Sequence, residues 1–195
     1  TGNMAVCLRP EDHTLDWQKK MESAGRPLPG VDVCIIDAEQ RSLLPNKIGE
    51  ICIKSPANMH GYWKNKAATD EIFLNEWIRT GDVGYLDEQG YLYVCDRVKD
   101  MIIYGGENIY PAEIEAALSE HEAVAEAAVI GVPDLHWGEV VKAFVVLRPG
   151  MAIKQRELIN FTRSKIADFK APKSIDFLDS LPRNPSGKVL KRVLR

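Results

Sequence analysis

No stretch of the 195-residue chain holds the roughly 18–20 consecutive apolar residues that span a bilayer, and the first residues lack the charged-then-apolar pattern of a secretion signal. Neither sign of charge dominates: 25 Lys and Arg stand against 28 Asp and Glu, a formal net charge of −3. A nucleic-acid binder would carry a concentrated basic excess, so that class is disfavoured. Cysteine is sparse. Cys7, Cys34, Cys52 and Cys95 form no CxxC pair and no zinc-ligand spacing. Three of them lie in short apolar runs, where a free thiol behaves as a small hydrophobe, and the chain reads as cytoplasmic. His13, His60, His121 and His136 are scattered without a partner at ligand spacing, so no metal site is expected. Internal repeats and low-complexity tracts are absent. What is present is 45% hydrophobic and 27% charged, the composition of a folded protein with room for one large or two small domains.

The pattern changes near the middle. From Gly25 to Asp96 it is β: Val31, Val33 and Ile35 alternate, as do Ile51 and Ile53, and Tyr91–Val94 is aromatic and β-branched. Turn residues punctuate these runs, which suggests a small, distorted, barrel-like sheet module. After Arg97, a brief apolar strand (Met101–Tyr104) leads into Gly105-Gly106. Pro111 then opens a helix to about Ser119 with Ile114, Ala117 and Leu118 as its apolar stripe. Apolar strands at Ala127–Val132 and Ala143–Leu147, a helix near Gln155–Ala167, a strand at Ile175–Leu178 and a basic tail complete a compact unit. The fold class is α+β, with domains expected at 1–97 and 98–195. Charge follows the division: residues 1–98 hold 11 basic and 15 acidic groups, residues 99–195 hold 14 and 13. Trp17, Trp63, Trp77 and Trp137 are read as packing residues. The start at Thr1-Gly2-Asn3, without an initiator methionine, suggests a piece of a longer protein.

Four polar stretches carry chemistry. Trp77-Ile78-Arg79-Thr80-Gly81-Asp82 reads as a short polar turn ending in a carboxylate, able to accept two hydrogen bonds from a vicinal diol such as a ribose. Taken alone it is equally a capped turn. Asp96-Arg97-Val98-Lys99-Asp100 reads either as a solvated linker or as a sugar- or phosphate-binding Arg97 followed by a hinge. Gly105-Gly106, without Cβ atoms, permits close approach of a thin ligand, while the neighbouring Glu107 disfavours an anion there. Pro182-Arg183-Asn184-Pro185-Ser186-Gly187-Lys188 places a lysine on a Pro/Gly loop, a mobile point charge suited to a carboxylate or phosphate, or else a solvated tail. The Gly187-Lys188 pair lacks the first glycine and preceding strand of a phosphate-binding P-loop.

In this order the stretches resemble the adenylate-forming (AMP-binding) superfamily, and acyl-CoA synthetases in particular. Gly49-Glu50-Ile51 through Gly61-Tyr62-Trp63, Thr80-Gly81-Asp82, Asp96-Arg97-Val98-Lys99-Asp100-Met101-Ile102, Gly105-Gly106-Glu107-Asn108-Ile109-Tyr110-Pro111 and Pro182–Lys188 carry the resemblance from Gly25 onward. It implies an acid–thiol ligase that activates a carboxylic acid, with medium- or long-chain fatty acids first and aryl acids second, using ATP and Mg2+. The acyl-adenylate then passes its acyl group to coenzyme A. By motif, Asp82 and Arg97 would hold the ribose hydroxyls and Val94 would line the nucleotide pocket. Lys99 would be the hinge, Gly105 and Gly106 would line the coenzyme A tunnel, and Lys188 would be the catalytic lysine of adenylation. A lysine acetyltransferase and deacetylase acting on Lys188 are implied partners. The resemblance also implies that the phosphate loop, the magnesium ligands and the acyl pocket lie upstream. The 195 residues would then be a C-terminal portion, inactive alone. The alternatives are an adenylation domain of a peptide synthetase and a non-catalytic docking or regulatory module.

Overall fold

Alternating burial organises the first half of the chain, and burial on both sheet faces organises the second. The computed structural model describes residues 4–13 and 18–195; Thr1-Gly2-Asn3 and Trp17, used above, lie outside them. The chain divides into two compact units, Thr1–Lys99 and Asp100–Arg195.

In the first unit, β1 (Val6–Cys7) pairs antiparallel with β2 (Arg26–Pro27), and α1 (Gln18–Met21) is a single turn between them. The main sheet runs β3 (Asp32–Ile36), β4 (Gly49–Lys54), β6 (Trp77–Leu86), with β5 (Phe73–Leu74) and β7 (Leu92–Arg97) both paired to β6. All pairings are antiparallel. Helix α2 (Lys66–Ile72) precedes β5 and begins at Asn65, whose side chain accepts the Ala68 N–H. Val33 opposes Ile53 and Ile35 opposes Ile51, and this face packs with Leu92 as the core. On the other face Cys34 opposes Cys52. Burial pushes the Cys52 thiol up to about 12, so it stays protonated and acts as a small apolar group. All four cysteines are free.

The sheet has five strands, with β5 and β7 both paired to β6. One correction concerns Trp77–Asp82. Those residues are not a turn but the first six of the ten-residue β6. Their Arg, Thr, Gly and Asp side chains conceal a strand because its central positions are irregular rather than alternating. Trp63 is 88% exposed, not packed.

The amino-terminal residues are clipped to this sheet by a buried carboxylate. Asp12 accepts hydrogen bonds from the Tyr91 hydroxyl and from the Arg9 N–H, and Arg26 approaches at 3.6 Å. The Tyr91 bond first, then the Arg9 N–H, hold the Asp12 carboxyl below the usual carboxylate range.

In the second unit, a long hairpin of β10 (Val124–Asp134) and β11 (Gly138–Leu147) is flanked by parallel β12 (Ser174–Phe177) and by the short hairpin β8 (Ile102–Tyr104) and β9 (Glu107–Ile109). Helix α3 (Pro111–Ser119) packs on β10, and α4 (Gln155–Arg163) packs on α3 and β12. Ile114, Ala117 and Leu118 are buried, as their spacing predicts. This face of the sheet, with Val129, Val141 and Val145, forms the larger core. The opposite face is also covered. Ala128, Ile130 and Phe144 pack with Leu181, Val189 and Leu194 from the chain's last segment, which ends in the short helix α5 (Lys191–Leu194). Two covered faces explain why Ala127–Val132 is continuously apolar rather than alternating. Helix α4 stops four residues earlier than expected, because the Ser164 N–H closes onto the Asn160 and Phe161 carbonyls.

Two stability outcomes follow. Ile114→Ala removes a fully buried side chain between α3 and the sheet, and should lower the opening free energy of β10 and β11 amides by about 2–5 kcal/mol in native-state hydrogen exchange. For Asp12, a carboxyl depressed in the folded state contributes stability above its unfolded range, and that contribution is lost as pH falls through the lowered value. Tyr91→Phe should therefore melt below the parent at neutral pH, with the gap closing as the buffer is taken below about pH 4. A constant gap across that titration would contradict the assignment.

Candidate functional site

The irregularity in β6 builds the most distinctive surface of the first unit. Cys52 opposes Arg79 and Glu50 opposes Val83, so β4 advances two residues while β6 advances four. Thr80, Gly81 and Asp82 thus stand against Ile51 alone, and they bulge from the ladder. Bulges of this kind re-aim side chains at the cost of unpaired backbone groups. Here those groups are satisfied locally. The Thr80 hydroxyl donates to the Ile51 carbonyl (2.8 Å) and accepts from the Asp82 N–H (3.0 Å), while Glu50 Oε1 accepts from the Gly81 N–H (3.3 Å). Gly81 has a φ of +72°, a left-handed conformation in which glycine is favoured.

The bulge brings Asp82 opposite Arg97 of β7, and the Arg97 Nε donates to Asp82 Oδ1 at 3.0 Å. Both side chains remain about two-fifths exposed, so neither is spent on this pair. They line a cleft of about 540 Å³ together with Val94, which is 54% exposed on β7, and with Val98 and Lys99. Four of the residues singled out in the sequence (Asp82, Val94, Arg97 and Lys99) therefore share one cleft, entirely within the first unit. The floor is apolar, with Ile51, Ile53 and Leu92; the rim is ionic. Such a cleft suits a flat, largely apolar ring system carrying a polar, hydroxylated arm.

Two neighbours in the cleft lie in stretches noted above but had no role of their own in the sequence reading. Glu50 and Arg79 form a paired support: Arg79 Nε donates to Glu50 Oε2 at 2.8 Å, and its NH2 group lies 2.7 Å from the same oxygen. The Glu50 bond raises the Arg79 guanidinium above its ordinary value. The detectable signal was an acid in an otherwise apolar strand, Gly49-Glu50-Ile51-Cys52-Ile53.

The remaining candidates belong to the second unit. Gly105 and Gly106 form the two-residue turn between β8 and β9, with φ values of +57° and +91°. Positive φ at both positions is the turn whose twist matches an antiparallel hairpin. Gly105 has a further constraint: its N–H donates to the Trp137 carbonyl (2.8 Å), and a Cβ there would lie 3.0 Å from the Trp137 ring. Trp137 stacks on Tyr104 with centroids 4.8 Å apart, and Phe169 stands 6.4 Å from Tyr104 on another side. Lys173 lies over the Tyr104 ring and Lys170 over Phe169. This half-exposed aromatic group with two cations was missed because its members come from three separated stretches of sequence.

Lys188 is exposed and its ammonium pairs with no acid among the described residues. Its loop is less mobile than a Pro/Gly composition suggests. Asn184 Oδ1 accepts from the Lys188 N–H (2.8 Å), the Ser186 N–H (3.1 Å) and the Ser186 hydroxyl (2.8 Å). Arg183 reaches both the Gly187 carbonyl and Glu126, and Lys191 pairs with Glu115 at 2.7 Å. The result is a fixed turn presenting one flexible, charged side chain.

Comparison with known proteins shows what the chain is similar to. The model of the AMP-binding enzyme family matches residues 1–63, and that of the AMP-binding enzyme C-terminal domain matches residues 113–188. A fatty acid–[acyl-carrier-protein] ligase, ScoC, of Streptomyces coeruleorubidus is 50% identical over 195 residues, all of this chain and 37% of the relative. A long-chain-fatty-acid–CoA ligase of Bacillus subtilis is 47% identical over 180 residues, 91% of this chain and 32% of the relative. Among solved structures, the o-succinylbenzoate CoA synthetase of Bacillus subtilis in complex with its acyl-adenylate intermediate superposes with a TM-score of 0.89 at 42% identity, covering 98% of this chain and 38% of that one. The chain spans about a third of the length of these relatives. With two models of one family matched in order along the sequence, the chain belongs to the adenylate-forming, AMP-binding enzyme family.

Proposed function

We propose that the chain is the C-terminal portion of an ATP-dependent acid–thiol ligase. In the first half-reaction a carboxylate oxygen attacks the α-phosphorus of ATP, forming an acyl-adenylate as pyrophosphate leaves. In the second, a thiol attacks the acyl carbonyl, AMP leaves, and the thiol proton passes to solvent. The carrying observation is the Asp82–Arg97 pair at the cleft rim, formed by the β6 bulge. Asp82 Oδ2 and the outer guanidinium nitrogens stay available to a ribose diol, and Val94 offers an apolar wall to the attached base. The acid is a medium- or long-chain fatty acid, a reading favoured by the fatty-acid ligases among the relatives, with aryl acids second.

Lys188 supplies positive charge to the carboxylate and α-phosphate during adenylation. Its fixed turn, and an ammonium with no acid partner among the described residues, fit a group that must neutralise charge developing in the transition state. Acetylation by a lysine acetyltransferase would remove that charge, and a deacetylase would restore it. Lys99, the last residue of the first unit, is the hinge between half-reactions. Among the described residues no three His, Cys, Asp or Glu side chains converge to hold a metal.

Coenzyme A is the acceptor. Gly105 and Gly106 border its thin pantetheine arm, and the Trp137–Tyr104–Phe169 group with Lys170 and Lys173 suits its adenine and phosphates. A carrier protein's pantetheine thiol is the second reading, favoured by the 50% identical acyl-carrier-protein ligase. No described helix is long and apolar enough to cross a membrane, and we place the enzyme in the cytoplasm.

The decisive assay separates the half-reactions in the full-length protein. The unmodified protein should release pyrophosphate from ATP with fatty acids. Lys188→Ala should lose that release by about 10²-fold or more while still converting preformed acyl-adenylate and coenzyme A to thioester. Equal loss in both assays would overturn the role of Lys188, and no acid-dependent pyrophosphate release from the unmodified protein would overturn the function.

A further inference from the structure

The chemistry of Asp82 depends on where a backbone irregularity aims it, and that irregularity has a support outside the Thr-Gly-Asp stretch. Between Arg79 and Val83 the β4–β6 ladder is interrupted, and the backbone groups of the bulge must find partners or lose stability. Thr80 satisfies the Ile51 carbonyl and the Asp82 N–H. The Gly81 N–H goes to Glu50, the one acid that faces the bulge from β4. Glu50 is itself held by two contacts to Arg79, and its side chain is 12% exposed.

A carboxylate with this much burial is not a surface decoration: removing it leaves the Gly81 N–H and the Arg79 guanidinium without their partner inside the cleft wall. Gly81, in a left-handed conformation, would then be free to relax toward the regular ladder. Relaxation by one residue would turn Asp82 toward the opposite face of the sheet.

We propose that Glu50, locked by Arg79, is a positioning residue for nucleotide recognition: it pins the Gly81 bulge and so makes the cleft discriminate a full ribose from a deoxyribose. The inference rests on the ligase reading above and deepens it. Glu50 acts through Gly81 on Asp82 and through β6 on the Asp82–Arg97 pair.

The test compares kcat/KM for ATP, 2′-deoxyATP and 3′-deoxyATP in acid-dependent pyrophosphate release by the full-length protein. The unmodified protein should prefer ATP over at least one deoxy analogue by about tenfold or more, the scale of a hydrogen bond to a charged group. Glu50→Ala should bring that ratio close to one, chiefly through a raised KM for ATP, and Glu50→Gln, whose amide oxygen can still accept from Gly81, should recover part of it. Thr80→Val provides a second route to the same loss if Glu50→Ala folds poorly. A Glu50→Ala protein that is slower with all three nucleotides but keeps the tenfold ratio would overturn the inference while leaving the ligase function intact. An unmodified protein that releases pyrophosphate equally from all three would overturn the ribose assignment of Asp82 and Arg97, and the inference with it.

Discussion

A regular antiparallel ladder alternates its side chains strictly between two faces, and β6 departs from that rule at one place. The surplus residues between Arg79 and Val83 free Asp82 from the alternation and set it against Arg97. Everything distinctive about the cleft depends on this departure. Without it, the same sequence would form an ordinary sheet whose acids and bases point where the period of two sends them. The cost of a bulge is unpaired backbone, and the neighbouring side chains offset it: Thr80 closes one gap and Glu50 another. The functional geometry and the local stability of the strand are thus the same set of hydrogen bonds.

The second unit solves a different problem, which is to hold a single exposed lysine on a fixed support. Its sheet is covered on one face by α3 and α4 and on the other by the chain's last segment. Leu181 and Val189 anchor that segment on either side of the Lys188 turn, and Asn184 organises the turn itself. Helix residues contribute as well, since Glu115 of α3 both accepts the Val129 N–H and pairs with Lys191 beyond the turn. A charge presented in this way keeps a flexible stem on a rigid base, which suits the proposed contact of Lys188 with a phosphate.

Much of this was legible in the sequence where local pattern and tertiary role agree. The apolar spacing in α3, the continuous run of β10 and the glycine pair at 105–106 each require a particular structure, and each adopts it. The Thr80-Gly81-Asp82 stretch was legible as chemistry but not as structure, because a bulged strand has no period for pattern reading to detect. Helix α2 escaped notice because it buries no residue and therefore shows no apolar stripe. Glu50 and Arg79, 29 residues apart, become partners only through strand register. The Trp137, Tyr104 and Phe169 rings meet for the same reason, and Trp137 reads as packing until the hairpin turn of Gly105 is seen against its ring.

The central claim is that the β6 bulge converts Asp82 into a ribose ligand beside Arg97. Calorimetric titration of the full-length protein with AMP and with adenine tests it most directly. Asp82→Ala should weaken AMP binding by about tenfold or more and leave the affinity for adenine, which has no ribose, unchanged. Equal AMP affinity in the parent and the Asp82→Ala protein would contradict the account.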